Sequence, residues 1–211
     1  MMNASPSALT VSSVKRNQGR AVLTLSNGET VSMPRAMLKE RPYRAGMPFD
    51  KASFDLFLRD RAYPFAIEKA VALLASRART EKEIVDALKR NAYPEHVIAR
   101  VMARLYEAGY LNDMDFAEHW AAARTNKGMG SRRIRMELRQ KGISQEEIDE
   151  ALSSIDQDEI LSSAVKYAQK AARGKDLSSP ADRQKVLAAL ARRGYDFSLS
   201  RRVLDELRQT E

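Results

Sequence analysis

Between Arg124 and Lys141 the chain carries seven positive charges, on Arg124, Lys127, Arg132, Arg133, Arg135, Arg139 and Lys141, against a single negative charge on Glu137. The chemistry available to such a stretch is non-covalent. Guanidinium groups grip phosphates or carboxylates with paired N–H donors, which suits either nucleic acid or an acidic protein groove. At about 100° per residue, Arg132, Arg135 and Arg139 fall within roughly 60° of arc, flanking the face that carries Ile134 and Leu138. One helix can therefore present a three-arginine row. A solvated helix face has the same composition, and the glycines beside the stretch favour a functional reading. A second basic set, Arg192, Arg193, Arg201 and Arg202, brackets another break and is expected to continue the same surface, although Asp196, Asp205 and Glu206 partly neutralise it.

No catalytic constellation emerges from the remaining reactive residues. Gly128 and Gly130 invite a phosphate-loop reading, but no strand precedes them, no third glycine follows at nucleotide-fold spacing, and no Gly-Lys-Ser/Thr is present. A flexible helix connector is the better expectation, with direct anion contact left open at Ser131. Asn112, Asp113 and Asp115 stand where a helix starts and read as caps for its orphan N–H groups. His96 and His119 are isolated and lack the paired spacing of a helical zinc site. Trp120, four residues after Phe116, reads as packing before it reads as a stacking platform. The chain is accordingly expected to be no enzyme and to use no metal and no cofactor.

What must position these cations is an internal repeat of about 50 residues. The segments Leu88 to Leu105, Leu138 to Ile155 and Leu190 to Leu207 superimpose without gaps. Leu88, Leu138 and Leu190 are followed five residues later by Tyr93, Ile143 and Tyr195, then by Val101, Ala151 and Val203, Met102, Leu152 and Leu204, and Leu105, Ile155 and Leu207. The same helix, turn and helix are built three times, so function is expected on an extended surface rather than in a pocket. The apolar period of a helix runs from Ala66 onward, and Thr80 with Glu83 and Ser144 with Glu147 have capping-box spacing.

Upstream, Leu9 to Val14, Ala21 to Leu25 and Thr30 to Met33 read as strands, with Asn27-Gly28 as a two-residue hairpin turn. Asp50 is placed to cap a short helix over Lys51 to Arg59 whose apolar stripe docks this meander onto the helices. The fold class is thus mainly α: a tandem array of three three-helix repeats preceded by a small N-terminal β-meander. The expected divisions are 1–8 as a flexible N-terminus, 9–49 as the β-rich region with its connector, 50–65 as a linking helix, and helical repeats at 66–112, 113–155 and 156–211.

A formal charge of +8 and a pI near 9.8 favour anionic partners. The absence of cysteine excludes disulfides, thiolate metal sites and cysteine nucleophiles, and fits a reducing compartment. Met1 to Leu9 shows no signal-peptide pattern and no apolar run approaches membrane-spanning length, so a cytoplasmic protein without membrane contact is expected.

On these residues the chain resembles the RecX family. The run Glu107 to Phe116 (EAGYLNDMDF), Arg124, Lys127 to Ile134 (KGMGSRRI) and Leu138 to Ile143 (LRQKGI) look like the family's core signature, and Leu73 to Leu88 (LLASRARTEKEIVDAL) is similar to its first unit. The resemblance implies a non-catalytic regulator that binds the RecA filament on single-stranded DNA in its helical groove, and the chain is expected to be a monomer. It further implies inhibition of ATP hydrolysis, strand exchange and co-protease activity, and hence a role in recombination, DNA repair and the SOS response. Single-stranded DNA is then a partner, directly or through RecA, and the cations of both basic sets are its candidate contact surface. The alternative is a helix-turn-helix DNA-binding protein acting without RecA. Against it, the helix that would enter the major groove in the middle unit, Ser144 to Ile155, carries Glu146, Glu147, Asp149 and Glu150 and no Lys or Arg.

Overall fold

The computed structural model describes residues 9–209, so the 1–8 segment expected to be flexible lies outside the described residues. Three strands and a short 3-10 helix precede nine α-helices among them, and the chain divides into two compact units between Leu111 and Asn112.

In the first unit β1 (Val11–Arg16), β2 (Arg20–Leu25) and β3 (Thr30–Pro34) form an antiparallel sheet in sequence order. Alternation sets its inner face: Ala21, Leu23 and Leu25 of β2 are buried, and Leu23 pairs with Val14 and Val31. The hairpin turn differs from the expected two-residue form. The Leu25 N–H donates to Glu29 O (2.8 Å), the Gly28 N–H donates to Leu25 O (2.9 Å), and only Gly28 has positive φ, at 86°. That is a three-residue loop, a turn closed by one left-handed glycine. Asn27 keeps ordinary φ because its Oδ1 accepts from the Glu29 N–H (3.0 Å).

The linking helix also departs from expectation. Instead of ending near Arg59, α1 runs from Lys51 to Ser76 and contains Pro64. A proline inside a helix costs about 3 kcal/mol. Here Phe54, Leu58, Ala62, Ala66 and Ala70 are all buried at unbroken four-residue spacing, while Pro64 is exposed on the opposite side. Burial along that stripe outweighs one lost hydrogen bond. Asp50 caps the helix by accepting from the Ser53 N–H (2.7 Å), and Phe49, Phe54 and Tyr43 pack ring against ring. The meander, α1, α2 (Glu81–Arg90) and α3 (Glu95–Glu107) thereby share one hydrophobic core.

The second unit holds α4 (Asp113–Asn126), α5 (Ser131–Gln140) and α6 (Gln145–Ser153) around one apolar cluster, and α7 (Gln157–Ala172), α8 (Pro180–Arg193) and α9 (Phe197–Gln209) around another. Several helix starts are satisfied locally: Asn112 accepts from the Asp115 N–H, Ser144 and Glu147 form a reciprocal capping box, and Asp156 accepts from the Asp158 N–H.

The internal repeat has a specific backbone cause. The N–H groups of Tyr93, Ile143 and Tyr195 donate to the carbonyls of Leu88, Leu138 and Leu190, each at 3.2 Å. This is the long-range bond of a Schellman helix stop, in which an apolar residue just past the turn folds back onto the last turn of the helix. The residue before it must be left-handed: Gly142 and Gly194 have φ of 90°, and in the first repeat Ala92 takes φ of 62°. Leu88, Leu138 and Leu190 are fully buried, as are Val101, Ala151 and Val203 on the following helices.

Candidate anion-binding surface

The surface is organised by a backbone seam inside the second unit. The Gly130 N–H donates to Arg193 O (2.9 Å), and the Arg132 N–H donates to Gly194 O (3.1 Å). The start of α5 thus sits on the turn between α8 and α9. A Cβ on Gly130 would lie 2.3 Å from Gly194 C and Tyr195 N, and one on Gly194 would lie 2.5 Å from Arg133 N. The expectation of a flexible connector at Gly128 and Gly130 therefore needs correction. Gly128 stops α4 with φ of 73°, whereas Gly130 is buried and lets two backbones touch. The seam has a consequence for charge. Arg132 and Arg133, from the first basic set, adjoin Arg193 of the second, which lies far away in sequence.

The first set separates by what its members touch. Glu137, its single acid, is a hub: it pairs with Arg124 Nε (2.7 Å) and Arg133 Nε (3.5 Å) and accepts from Trp120 Nε1 (3.1 Å). The Arg124 guanidinium lies 4.1 Å from the Trp120 ring centroid, Lys141 Nζ lies 4.3 Å from it, and Phe116 stacks on the same ring at 5.6 Å. Trp120 is thus a packing residue, locking α4 to α5 through aromatic, cation–π and ionic contacts together.

The arginine row is also partly engaged. Arg135 pairs with Asp149, and Arg139 Nε donates to Gln145 Oε1 (3.1 Å), while Gln145 Nε2 donates to Asp149 Oδ2 (2.7 Å). Hydrogen bonds from Gln145 and then Arg135 hold the Asp149 carboxyl below its ordinary value. Helix spacing puts the three arginines toward one side of α5 but carries no information about α6, which supplies Asp149 to Arg135 and Gln145 to Arg139. Arg132 is exposed and in no ion pair with a described residue.

Sequence reasoning missed a groove built from elements distant in the chain. It has a volume of about 640 Å³ and is lined by Lys127 after α4, Lys166 and Lys170 on α7, and Arg193 at the end of α8. Arg193 lies over the Tyr167 ring at 4.7 Å. Asp158 and Glu159 line the groove as well. By sequence alone Lys166 and Lys170 read as cations that complement the dipole at the C-terminal end of a helix. The one local signal was their four-residue spacing, which places them on one helix face. Of the rest of the second set, Arg192, Arg201 and Arg202 are exposed, with Arg201 near the Phe197 ring at 5.8 Å. Arg202 and Ser131 line a separate cavity of about 450 Å³.

α6 presents Glu146, Asp149 and Glu150 to solvent and carries no Lys or Arg. Phosphates would be repelled there, which disfavours major-groove reading by that helix. Among the described residues, no helix is long and apolar enough to cross a membrane.

Comparison with known proteins supplies the family. Models of the first, second and third three-helix domains of RecX match residues 66–105, 112–152 and 157–204 in succession. A protein named regulatory protein RecX from Mycolicibacterium vanbaalenii is 38% identical over 136 residues, covering 61% of this chain and 74% of that one. Its namesake from Bacillus velezensis is 31% identical over 198 residues, covering 93% of this chain and 75% of that one. Among solved structures, a regulatory protein RecX superimposes with a TM-score of 0.64 at 24% identity, over 93% of this chain and 99% of that one. RecX from Lactobacillus salivarius gives 0.66 at 23% identity, over 70% and 97%, a likeness that speaks to the fold. With its three repeats matched in order and a relative aligned over nearly its whole length, this chain belongs to the RecX family of regulatory proteins.

Proposed function

We propose that this protein is a negative regulator of RecA. It binds the RecA filament on single-stranded DNA, seated in the filament's helical groove as a monomer, and suppresses ATP hydrolysis, strand exchange and co-protease activity. Recombination, DNA repair and the SOS response in the cytoplasm are modulated in consequence. The observation that supports this reading is the seam at Gly130 and Gly194, which brings the backbone carrying Arg132 and Arg133 against that of Arg193 on a chain of the RecX family. Such a surface attracts a polyanionic filament over long range and grips it through many weak contacts.

The test titrates the purified protein into RecA hydrolysing ATP on single-stranded DNA. Hydrolysis falls with increasing protein, and replacing Arg132, Arg201 and Arg202 together by Ala weakens filament binding while helicity is retained. Unchanged hydrolysis and no filament binding, with RecA shown to be active, would refute the reading.

A further inference from the structure

The groove over α7 contains more positive charge than the fold requires. Lys127, Lys166, Lys170 and Arg193 line it, and none forms an ion pair with a described residue, although Asp158 and Glu159 line the same groove. Favourable interaction with the helix dipole is confined to the last turn. It accounts for Lys170, two residues before the end of α7 at Ala172, but not for Lys166 one turn earlier. Four cations from three separate parts of the chain thus line one open channel without a carboxylate partner among the described residues.

We propose that this groove is a phosphate track for single-stranded nucleic acid, a direct contact in addition to any contact with the RecA protein. The proposal deepens the filament reading and rests on it only for the identity of the strand. Three observations favour a nucleic-acid backbone over an acidic peptide. Lys166 and Lys170 lie one helical turn apart, about 6 Å along the axis, so their charges repeat along the channel as phosphates do along a strand. Three of the four cations are lysines, point charges on flexible stems that suit sequence-independent phosphate contact better than the fixed fork that binds a carboxylate. The arginine is turned onto the Tyr167 ring at 4.7 Å, so its planar face is occupied. That same contact covers one face of the tyrosine, and the track therefore reads charge rather than stacking on bases. Asp158 and Glu159, at the start of α7, close one end of the track by repulsion.

The experiment measures binding of the full chain to a fluorescein-labelled oligo-dT by anisotropy across a salt series. Each phosphate contact on a single strand contributes about 0.7 to the slope of log K against log salt. The double variant Lys166→Gln/Lys170→Gln should therefore lower the slope by about 1.4, and weaken binding about 25-fold at 0.1 M salt relative to 1 M. A mixed-sequence strand should behave alike, and Lys185→Gln, whose side chain pairs with Asp182 on α8, should leave both quantities unchanged. Equal affinity and slope for wild type and the double variant would overturn the proposal. So would loss of binding to poly-glutamate with oligo-dT binding intact, which would assign the groove to an acidic protein segment. RecA ATP hydrolysis is followed in the same variants: inhibition that persists while the oligonucleotide result fails sinks the track alone, and absent inhibition by wild type sinks the filament reading.

Discussion

Replacing Gly130 by Ala should uncouple the two repeats of the second unit. The backbone of Gly130 is unstrained, with φ of −80°, so the substitution costs nothing in local conformation. The cost is steric. The new methyl group would lie 2.3 Å from Gly194 C and Tyr195 N and 2.4 Å from Gly194 O, all backbone atoms that cannot rotate away. Ordinary carbon contacts need about 3.5 Å, so the seam must open by more than about 1 Å. Opening on that scale removes the bonds from Gly130 to Arg193 and from Arg132 to Gly194, now 2.9 and 3.1 Å. Two backbone hydrogen bonds at about 1 kcal/mol each, with about 1–3 kcal/mol for overpacking, give a loss of about 3–5 kcal/mol. Urea unfolding followed by circular dichroism is the assay. The expected result is a lower midpoint and a broadened or split transition, as repeats that lose their interface cease to unfold together. Ser131→Ala, within the same segment but altering only a hydroxyl that takes no part in the two seam bonds, should remain within about 0.5 kcal/mol of wild type. A Gly130→Ala protein with unchanged midpoint and slope would refute the claim that this contact couples the repeats.

Further predictions concern the helix stop, the hub and pH. Ala92→Gly should stabilise the first unit by about 1 kcal/mol, because Ala92 occupies the left-handed position with φ of 62° that glycine fills in the other two repeats; a lower melting temperature would contradict the assignment. Glu137→Gln should destabilise by about 1.5–3 kcal/mol by removing a carboxylate that receives Arg124 and Trp120, and Arg124→Met/Glu137→Met should recover part of the loss in a double-mutant cycle. For Asp149, whose carboxyl is held below 3.8 first by Gln145 and then by Arg135, the sign is that of a depressed acid. Its stabilising contribution is complete above the unfolded value and is lost as pH falls through the folded one. A carbon-13 titration should place its midpoint below 3.8, and Gln145→Ala should raise it; a midpoint at or above the ordinary value in wild type would refute the network.

Much of the fold was legible because its determinants are local. Leu88, Leu138 and Leu190 with their partners five residues on mark the helix stops, since the bond that makes the stop spans only those positions. Caps such as Asn112 and Ser144 are equally short-range. The hairpin after β2 and the continuity of α1 depart from local expectation because a side-chain or tertiary effect overrides a local rule. Gly28 alone needed positive φ once Asn27 bonded to Glu29, and the buried stripe from Phe54 to Ala70 carried the helix through Pro64.

The candidate surface divides along the same line. By itself the sequence determined how much positive charge the middle repeat carries and which helix bears it, because composition and helical angle are properties of neighbouring residues. Tertiary packing decided the surroundings of that charge: Glu137 and Asp149 engage some of the arginines, Gly130 meets Gly194 so that the backbones of Arg132 and Arg193 adjoin, and Lys166, Lys170, Lys127 and Arg193 converge on one groove. Pairing and convergence depend on which helices lie side by side, and that follows from burying the apolar faces of whole repeats rather than from the spacing of any one segment.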